Sequence, residues 1–256
     1  MKYDFTTVYD RRGMDALAVD ALGQPGGFAP GKPKDGFSVI PMWVADMNFA
    51  TVPTIPAAII ERAQHPLYGY FATPDAYHQA ITDWQRDRNG VTDLPKEAIG
   101  YENGVLGGVI SALGCLAAPG DAVLARSEKP HYNEMNVLSM HALLGAYTPE
   151  GREWVDELCE VLSGNVNFAC DFITRHFPGV QVAKPEGTYM LFLDCTDWCA
   201  ARDKTPEDVL HAGWDVGVAW QDGRMFHHPC AILMNLALIR ALVEEAFNRL
   251  SAYVFV

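Results

Sequence analysis

The sequence predicts an α/β chain, on three observations. A short β-prone run, Ala98-Ile99-Gly100-Tyr101, meets an Asn-Gly break and opens an apolar helix from Gly104 to Ala118. A long helical region follows from Asn133 to Phe177, carrying Trp154, Leu158, Val161 and Leu162 as an apolar stripe. From Val180 to Tyr253, short strand-like and helical segments alternate as in a compact α+β unit.

Taken in order, residues 1–40 are irregular. Gly23–Gly36 holds five glycines and three prolines, the composition of an arm lying on a neighbouring surface. Ser38–Phe49 is an extended apolar stretch, and a helix is expected over Pro56–His65. Thr73 is the expected N-cap of the next helix, with Pro74 as its first residue and Gly90 as its stop. Tyr77, Ile81 and Trp84 share its buried face. Past the central helix, Ala117–Asp121 reads as a turn and Ala122–Ala125 as a strand. Arg126–Tyr132 then leads almost directly into the long helical region, which Gly145 and Thr148-Pro149-Glu150-Gly151 break in two. Strands are expected over Val180–Ala183, Thr188–Asp194, Val216–Trp220 and Ile232–Leu238. Thr205-Pro206-Glu207 caps a short helix, and Ala241–Tyr253 closes the chain as another.

Composition narrows the function. A net charge of −13 argues against a nucleic-acid surface, which needs clustered Lys and Arg to neutralise phosphates. No run reaches the ~18 apolar residues of a membrane span, and the N-terminus lacks an apolar signal core. The six cysteines show no zinc-type pairing. Cys195 and Cys199 stand four apart without a second pair, which reads as reduced packing thiols in a cytoplasmic protein and as no metal site.

The stretch from Tyr101 to Leu113 is the strongest local candidate for chemistry. A glycine-bearing turn at a helix N-terminus offers free backbone N–H groups and about half a positive charge, which suits a phosphate or carboxylate. Its spacing matches neither the dinucleotide pattern, with Leu106 where a glycine is required, nor the P-loop. A strand, turn and buried helix whose glycines serve close packing is the other reading of the same residues.

Several strings, in this order, resemble the fold-type-I pyridoxal-phosphate enzymes of the aminotransferase class I/II group. The match is best to their cystathionine β-lyase-like (cysteine-S-conjugate β-lyase) branch. They are Tyr9-Asp10-Arg11-Arg12-Gly13, Met42-Trp43-Val44-Ala45-Asp46-Met47-Asn48-Phe49, Tyr68-Gly69-Tyr70 and Asn103-Gly104-Val105. Further on come Pro119-Gly120-Asp121, Pro185-Glu186-Gly187-Thr188-Tyr189 and Met234-Asn235-Leu236-Ala237. The resemblance implies an α/β remnant of the fold-type-I large domain plus a C-terminal α+β small domain. Residues 1–50 would be the N-terminal arm and a small-domain segment, 51–150 a truncated cofactor-binding large domain, and 151–256 the small domain. It implies pyridoxal 5′-phosphate as cofactor, its phosphate cradled at Gly104, Val105 and Leu106. Tyr70 matches the tyrosine that a partner subunit extends to that phosphate, which implies a homodimer. Trp43 and Ala45 match the segment lining the substrate side, with Asn235 beside them, and the implied substrate is a small sulfur-containing amino acid.

The chain departs from that family pattern in two places. The pyridoxal chemistry uses a lysine that holds the cofactor as a Schiff base and a carboxylate on the pyridine nitrogen. The segments that carry them are missing between Ala122–Ala125 and Asn133–Tyr147, a large internal deletion. None of the seven lysines has the Ser-x-Lys context, and Lys129 lies nearest the junction. The second departure is Leu233, which replaces the arginine that grips the substrate carboxylate. Losing two charge-assisted hydrogen bonds of about 1.5–3 kcal/mol each weakens binding roughly a hundredfold or more. Arg224 and Arg240 are the nearby cations that could replace it. The sequence thus implies a carbon–sulfur β-lyase whose own activity is impaired, or a non-catalytic dimerising remnant of one.

Overall fold

The computed structural model describes residues 1–24, 28–116 and 135–256. The chain forms two compact units, one from Met1–Ala50 with Val155–Val256, the other from Thr51–Trp154. The turn expected at Ala117–Asp121, the strand at Ala122–Ala125, the Arg126–Tyr132 junction and Lys129 lie outside the described residues.

The first unit begins with a one-turn helix α1 (Leu17–Asp20) and a two-residue strand β1 (Ile40–Pro41). The expected extended stretch Ser38–Phe49 is a strand only at those two residues. From Trp43 to Ala45 it bends, because the carbonyls of Val44 and Asp46 are taken by a side chain rather than by a ladder.

The second unit is helical. It holds α2 (Thr54–Ala63), α3 (Asp75–Asn89), a 3-10 turn at Lys96–Ala98, α4 (Gly104–Leu116) and α5 (Val137–Ala146). Gly90 ends α3 in the left-handed conformation (φ 70°), as its sequence position demands. The start differs from expectation. Pro74 takes the cap position with extended ψ, leaving Thr73 one residue too far back to cap, and no side-chain cap bond forms. Tyr77 is buried with Val137 and Met140, Ile81 packs against that cluster, and Trp84 stacks on Tyr147 with ring centroids 4.6 Å apart. Gly145 does not break a helix but lies inside α5, where it lets α2 approach; a β-carbon there would meet the Thr54 carbonyl oxygen at 2.5 Å.

Residues 98–101 are not a strand. An extended run needs a ladder partner for its N–H and C=O groups, and no strand occurs among the described residues of this unit. Against the described residues, α4 buries only Gly107. Its apolar side chains face outward, with Val105 84%, Leu106 69% and Leu116 85% exposed.

Helix α6 (Pro149–His176) opens with Thr148 accepting the Gly151 N–H at 3.0 Å and Pro149 in the first turn. From Val155 on, its residues belong to the first unit. Then come β2 (Gln181–Val182), β3 (Met190–Asp194), α7 (Thr196–Arg202), α8 (Pro206–Asp215), β4 (Val218–Ala219), β5 (Gln221–Asp222), a 3-10 turn at Gly223–Phe226, β6 (Ala231–Asn235) and α9 (Arg240–Tyr253). Strands order as β2-β3-β6-β5, all antiparallel, while β1 pairs with β4 in parallel. Leu191, Leu193, Ile232 and Met234 project from one sheet face and are fully or almost fully buried. They join Ile173 and Phe177 of α6 and its C-terminal turn, and Val243, Phe247 and Leu250 of α9, in one core. The helical and strand periods thus meet on a single apolar seam.

Helix α8 shows how tightly that core is specified. Thr205 and Asp208 form a reciprocal capping box, the signal that its Thr-Pro-Glu-Asp start carries. On its inner face Gly213 abuts the fully buried Trp220, where a β-carbon would meet the indole at 2.2 Å. Gly213→Ala should therefore destabilise the first unit by about 1–3 kcal/mol through overpacking, read as a lower urea midpoint by tryptophan fluorescence; an unchanged midpoint would contradict this packing.

Candidate functional site

Three of the strings singled out in the sequence meet in the first unit. Main-chain bonds run from Asn235 N–H to the Met42 carbonyl (2.7 Å), from Asn48 N–H to Ala237 (2.9 Å), and from Leu236 N–H to Tyr189 (2.9 Å). At their junction Asn235, 1% exposed, spends its whole side chain. Its Nδ2 donates to the carbonyls of Val44 (2.6 Å) and Asp46 (2.7 Å), and its Oδ1 accepts the Ala237 N–H (2.7 Å). Ala45 is thereby presented at the surface between two anchored carbonyls. Trp43 is buried instead, its indole N–H donating to the Ala18 carbonyl at 2.9 Å and its ring meeting Phe28 edge-on.

Residues that sequence reasoning did not single out complete this corner. Arg11 pairs with Asp46 and donates to Asn48 Oδ1 at 3.0 Å, tying the Asp-Arg-Arg string to the Asp-Met-Asn string. Burial, with the Asp46 charge added, pushes the Tyr189 hydroxyl pKa up, so it stays a neutral donor. The signal was present, since all of these lie within the quoted strings. What the strings do not show is which side chains point at one another. Beside Tyr189, the loop Lys184–Thr188 and Leu162 and Val166 of α6 wall a cavity of about 390 Å³.

The other candidates lie in the second unit. Tyr70 is fully exposed and lines an open cleft of about 980 Å³ with Tyr68, Phe71, Tyr101 and Met135. Gly104, Val105 and Leu106 are not on that cleft's wall. They form the first turn of α4, with Gly104 at φ +76° donating to the Glu102 carbonyl at 2.9 Å. The N–H groups of Val105 and Leu106 have no acceptor within the helix, as for any first turn, and both side chains are exposed.

The cations near Leu233 are committed elsewhere. Arg224 grips Asp222 through Nε and Nη2 (2.9 and 2.6 Å) and also pairs with Glu207. These bonds hold the Asp222 and Glu207 carboxyls below their usual range. Arg240 bonds Glu244 and the Gly164 carbonyl, and its guanidinium lies 4.0 Å over the Phe168 ring. Leu233 itself is half-buried opposite Phe192. Both arginines are thus already engaged by carboxylates, a carbonyl and an aromatic face.

A pyridoxal cofactor needs a lysine at its aldehyde and a carboxylate on its ring nitrogen, both shielded from water. Among the described residues the only buried polar side chains are Asn165 and Asn235; no lysine and no carboxylate is buried. Lys96, the described lysine of the second unit, is ion-paired with Asp75, and Lys34 with Asp215 at 2.7 Å. The α4 N-terminus fits a phosphate, but the described residues do not fit the rest of the group. No cluster of metal-ligating side chains occurs among them either, and no described helix is long and apolar enough to cross a membrane.

No protein-family model matches the chain. Its sequence is 31% identical over 106 residues to cystathionine beta-lyase PatB of Bacillus subtilis (strain 168), covering 41% of this chain and 27% of that protein. A relative in Mycobacterium tuberculosis (strain CDC 1551 / Oshkosh) is 30% identical over 161 residues, 57% of this chain and 39% of that protein. The chain therefore spans well under half the length of these relatives. Its fold is similar to the PLP-bound C-S lyase of Staphylococcus hominis, with TM-score 0.77, 17% identity and 98% of each chain covered. It is equally similar to cystalysin of Treponema denticola, which contains a pyridoxal 5′-phosphate cofactor, with TM-score 0.78, 16% identity and 98% of each chain covered. The chain is thus similar in part of its sequence to cystathionine β-lyases and shares the mixed α/β fold of these PLP-bound structures.

Asn235 gives the test of the first-unit corner. Asn235→Ala leaves the Val44 and Asp46 carbonyls and the Ala237 N–H without this partner, at about 1–3 kcal/mol per group that stays buried. The expected result is a loss of about 2–4 kcal/mol in urea unfolding, with faster hydrogen exchange confined first to residues 42–48 and 235–238. Unchanged protection there would mean that the segment is held by other contacts.

Proposed function

We propose that this chain derives from a pyridoxal-phosphate carbon–sulfur β-lyase and no longer carries out the elimination itself. The two units are then the small domain (Met1–Ala50 with Val155–Val256) and a truncated large domain (Thr51–Trp154). The reaction of such an ancestor is β-elimination of a thiol from a small sulfur-containing amino acid, in a cytoplasmic setting. One observation carries the loss. Among the described residues no lysine and no carboxylate is withdrawn from water, so none of these would serve as a shielded base or ring partner.

What persists, on this reading, is binding. The first turn of α4 would receive the cofactor phosphate on the N–H groups of Val105 and Leu106. Ala45, fixed by Asn235, would offer backbone groups to a carboxylate, and Trp43 supports that segment from beneath by packing. With Leu233 in place of the arginine and Arg224 and Arg240 engaged, an amino acid would bind there only weakly.

Incubation with pyridoxal phosphate, borohydride reduction and peptide mapping tests this. The expected outcome is scattered, substoichiometric lysine labelling and no thiol or pyruvate from cystathionine. A single stoichiometric adduct, at Lys129 or any other lysine, together with thiol release would overturn it.

The outward-facing apolar side chains of α4 favour a second role as a self-association surface. Tyr70 would then serve a partner subunit in a homodimer. Leu106→Glu, a fully solvated substitution in either partner alone, should convert the dimer to monomer in sedimentation velocity; a dimer that tolerates it would place the interface elsewhere.

A further inference from the structure

Three thiols converge at one end of the first unit's sheet. Cys195 follows β3 and Cys230 precedes β6. They face each other one step past the ladder, with Cys195 N–H donating to the Cys230 carbonyl at 2.9 Å. Cys199 lies one helical turn beyond Cys195 in α7, its N–H donating to the Cys195 carbonyl at 2.9 Å. Cys195 is turned toward the Leu193 carbonyl of its own strand (3.9 Å). Cys199 and Cys230 are turned toward each other, with their Sγ atoms 3.5 Å apart. All three are free thiols.

We propose that Cys199 and Cys230 form a redox-modification site that closes to an intramolecular disulfide when a hydroperoxide reaches it. The two sulfurs already touch, so closure needs an approach of about 1.5 Å to reach the bonded distance. Both lie close to a chain reversal. Helix α7 ends four residues after Cys199 at Asp203 (φ +50°), and the turn before Cys230 passes through His227 (φ +62°). They are two of only three non-glycine residues in the left-handed region among those described. The third thiol is the most deeply buried and faces away, which sets the choice of partner.

The step balances with one hydroperoxide. Cys230, the least buried of the three, loses its proton and attacks the peroxide oxygen, giving a sulfenic acid and releasing an alcohol or water. Cys199 then attacks the Cys230 sulfur, the S–O bond breaks, and water leaves with the proton of Cys199. Two thiols are oxidised and one O–O bond is reduced. Burial sets the pace. It raises the Cys230 thiol pKa, although the bond with Cys199 opposes the rise, and pushes Cys199 up to about 12. The pair is therefore slower than the exposed Cys115 and Cys159, and a water-poor pocket favours ring closure over further oxidation. The disulfide would fasten α7 across the mouth of the segment that carries α8, β4 and β5.

The test treats the full chain with hydrogen peroxide, blocks remaining thiols under unfolding conditions, and maps the peptides. The expected product is a Cys199–Cys230 linked peptide that forms in the folded chain, is scarce in urea, and is abolished by Cys199→Ala. It should persist in a Cys115→Ser, Cys159→Ser variant, which leaves the core untouched and keeps the test valid if Cys199→Ala does not fold. The linked form should melt about 5–10 °C higher than the reduced one. Recovery of both Cys199 and Cys230 as blocked thiols after Cys159 is fully oxidised would overturn the proposal. So would linkage through Cys195, or linkage no more frequent in the folded chain than in urea.

Discussion

A buried asparagine is tolerable only when all its polar atoms are bonded, since each one left over carries the cost of leaving water. Asn235 meets that condition, and the first unit depends on it. Its amide takes two carbonyls of the N-terminal segment and its oxygen takes the N–H of Ala237. Asn165, from α6, does the corresponding work on the other side of the same loop, donating to Leu236 (3.0 Å) and Leu238 (2.8 Å). Between them the two amides satisfy the irregular backbone that follows β6. Residues nearly two hundred positions apart are thereby joined without a strand to join them.

That arrangement accounts for what the candidate site keeps and what it lacks. The backbone frame around Ala45 belongs to the small sheet and to α6 and α9, which form a complete core of their own. The arginines that remain near the sheet are saturated by carboxylates, carbonyls and an aromatic face. Among the described residues, the backbone frame around Ala45 is thus complete, while the cations beside it are already engaged.

Much of this was legible in the sequence because the signals are local. The Thr205 capping box, the Gly90 stop, the Pro149 start of α6 and the closing helix need only a few neighbouring residues to specify them. The motif strings likewise announced the fold, and the similarity to C–S lyases bears that out. What could not be read depended on distant partners. Ala98–Tyr101 has strand-forming residues but no ladder to join, and Ser38–Phe49 has them but yields its carbonyls to Asn235. Thr73 lost the cap to Pro74 by a single residue of register, a margin that composition does not resolve. Arg11, Asp46 and Tyr189 stood in plain view within the strings, yet the Arg11–Asp46 pair and the charge that Asp46 presents to Tyr189 exist only once 189, 235 and 46 have been brought together. Nor could spacing show that Arg224 is fully engaged, since one of its two carboxylates lies on another helix.

The proportions of the sheet have a consequence for how the molecule meets copies of itself. Its inner strands β3 and β6 run five residues each, but both outer strands, β2 and β5, run only two. An outer strand of that length exposes too few unpaired N–H and C=O groups to recruit a foreign strand. Intermolecular β-pairing, the common route to fibrils, is thus disfavoured at both margins of this four-stranded sheet. If purified material clouds with time, the aggregates should be amorphous and helix-rich rather than thioflavin-positive.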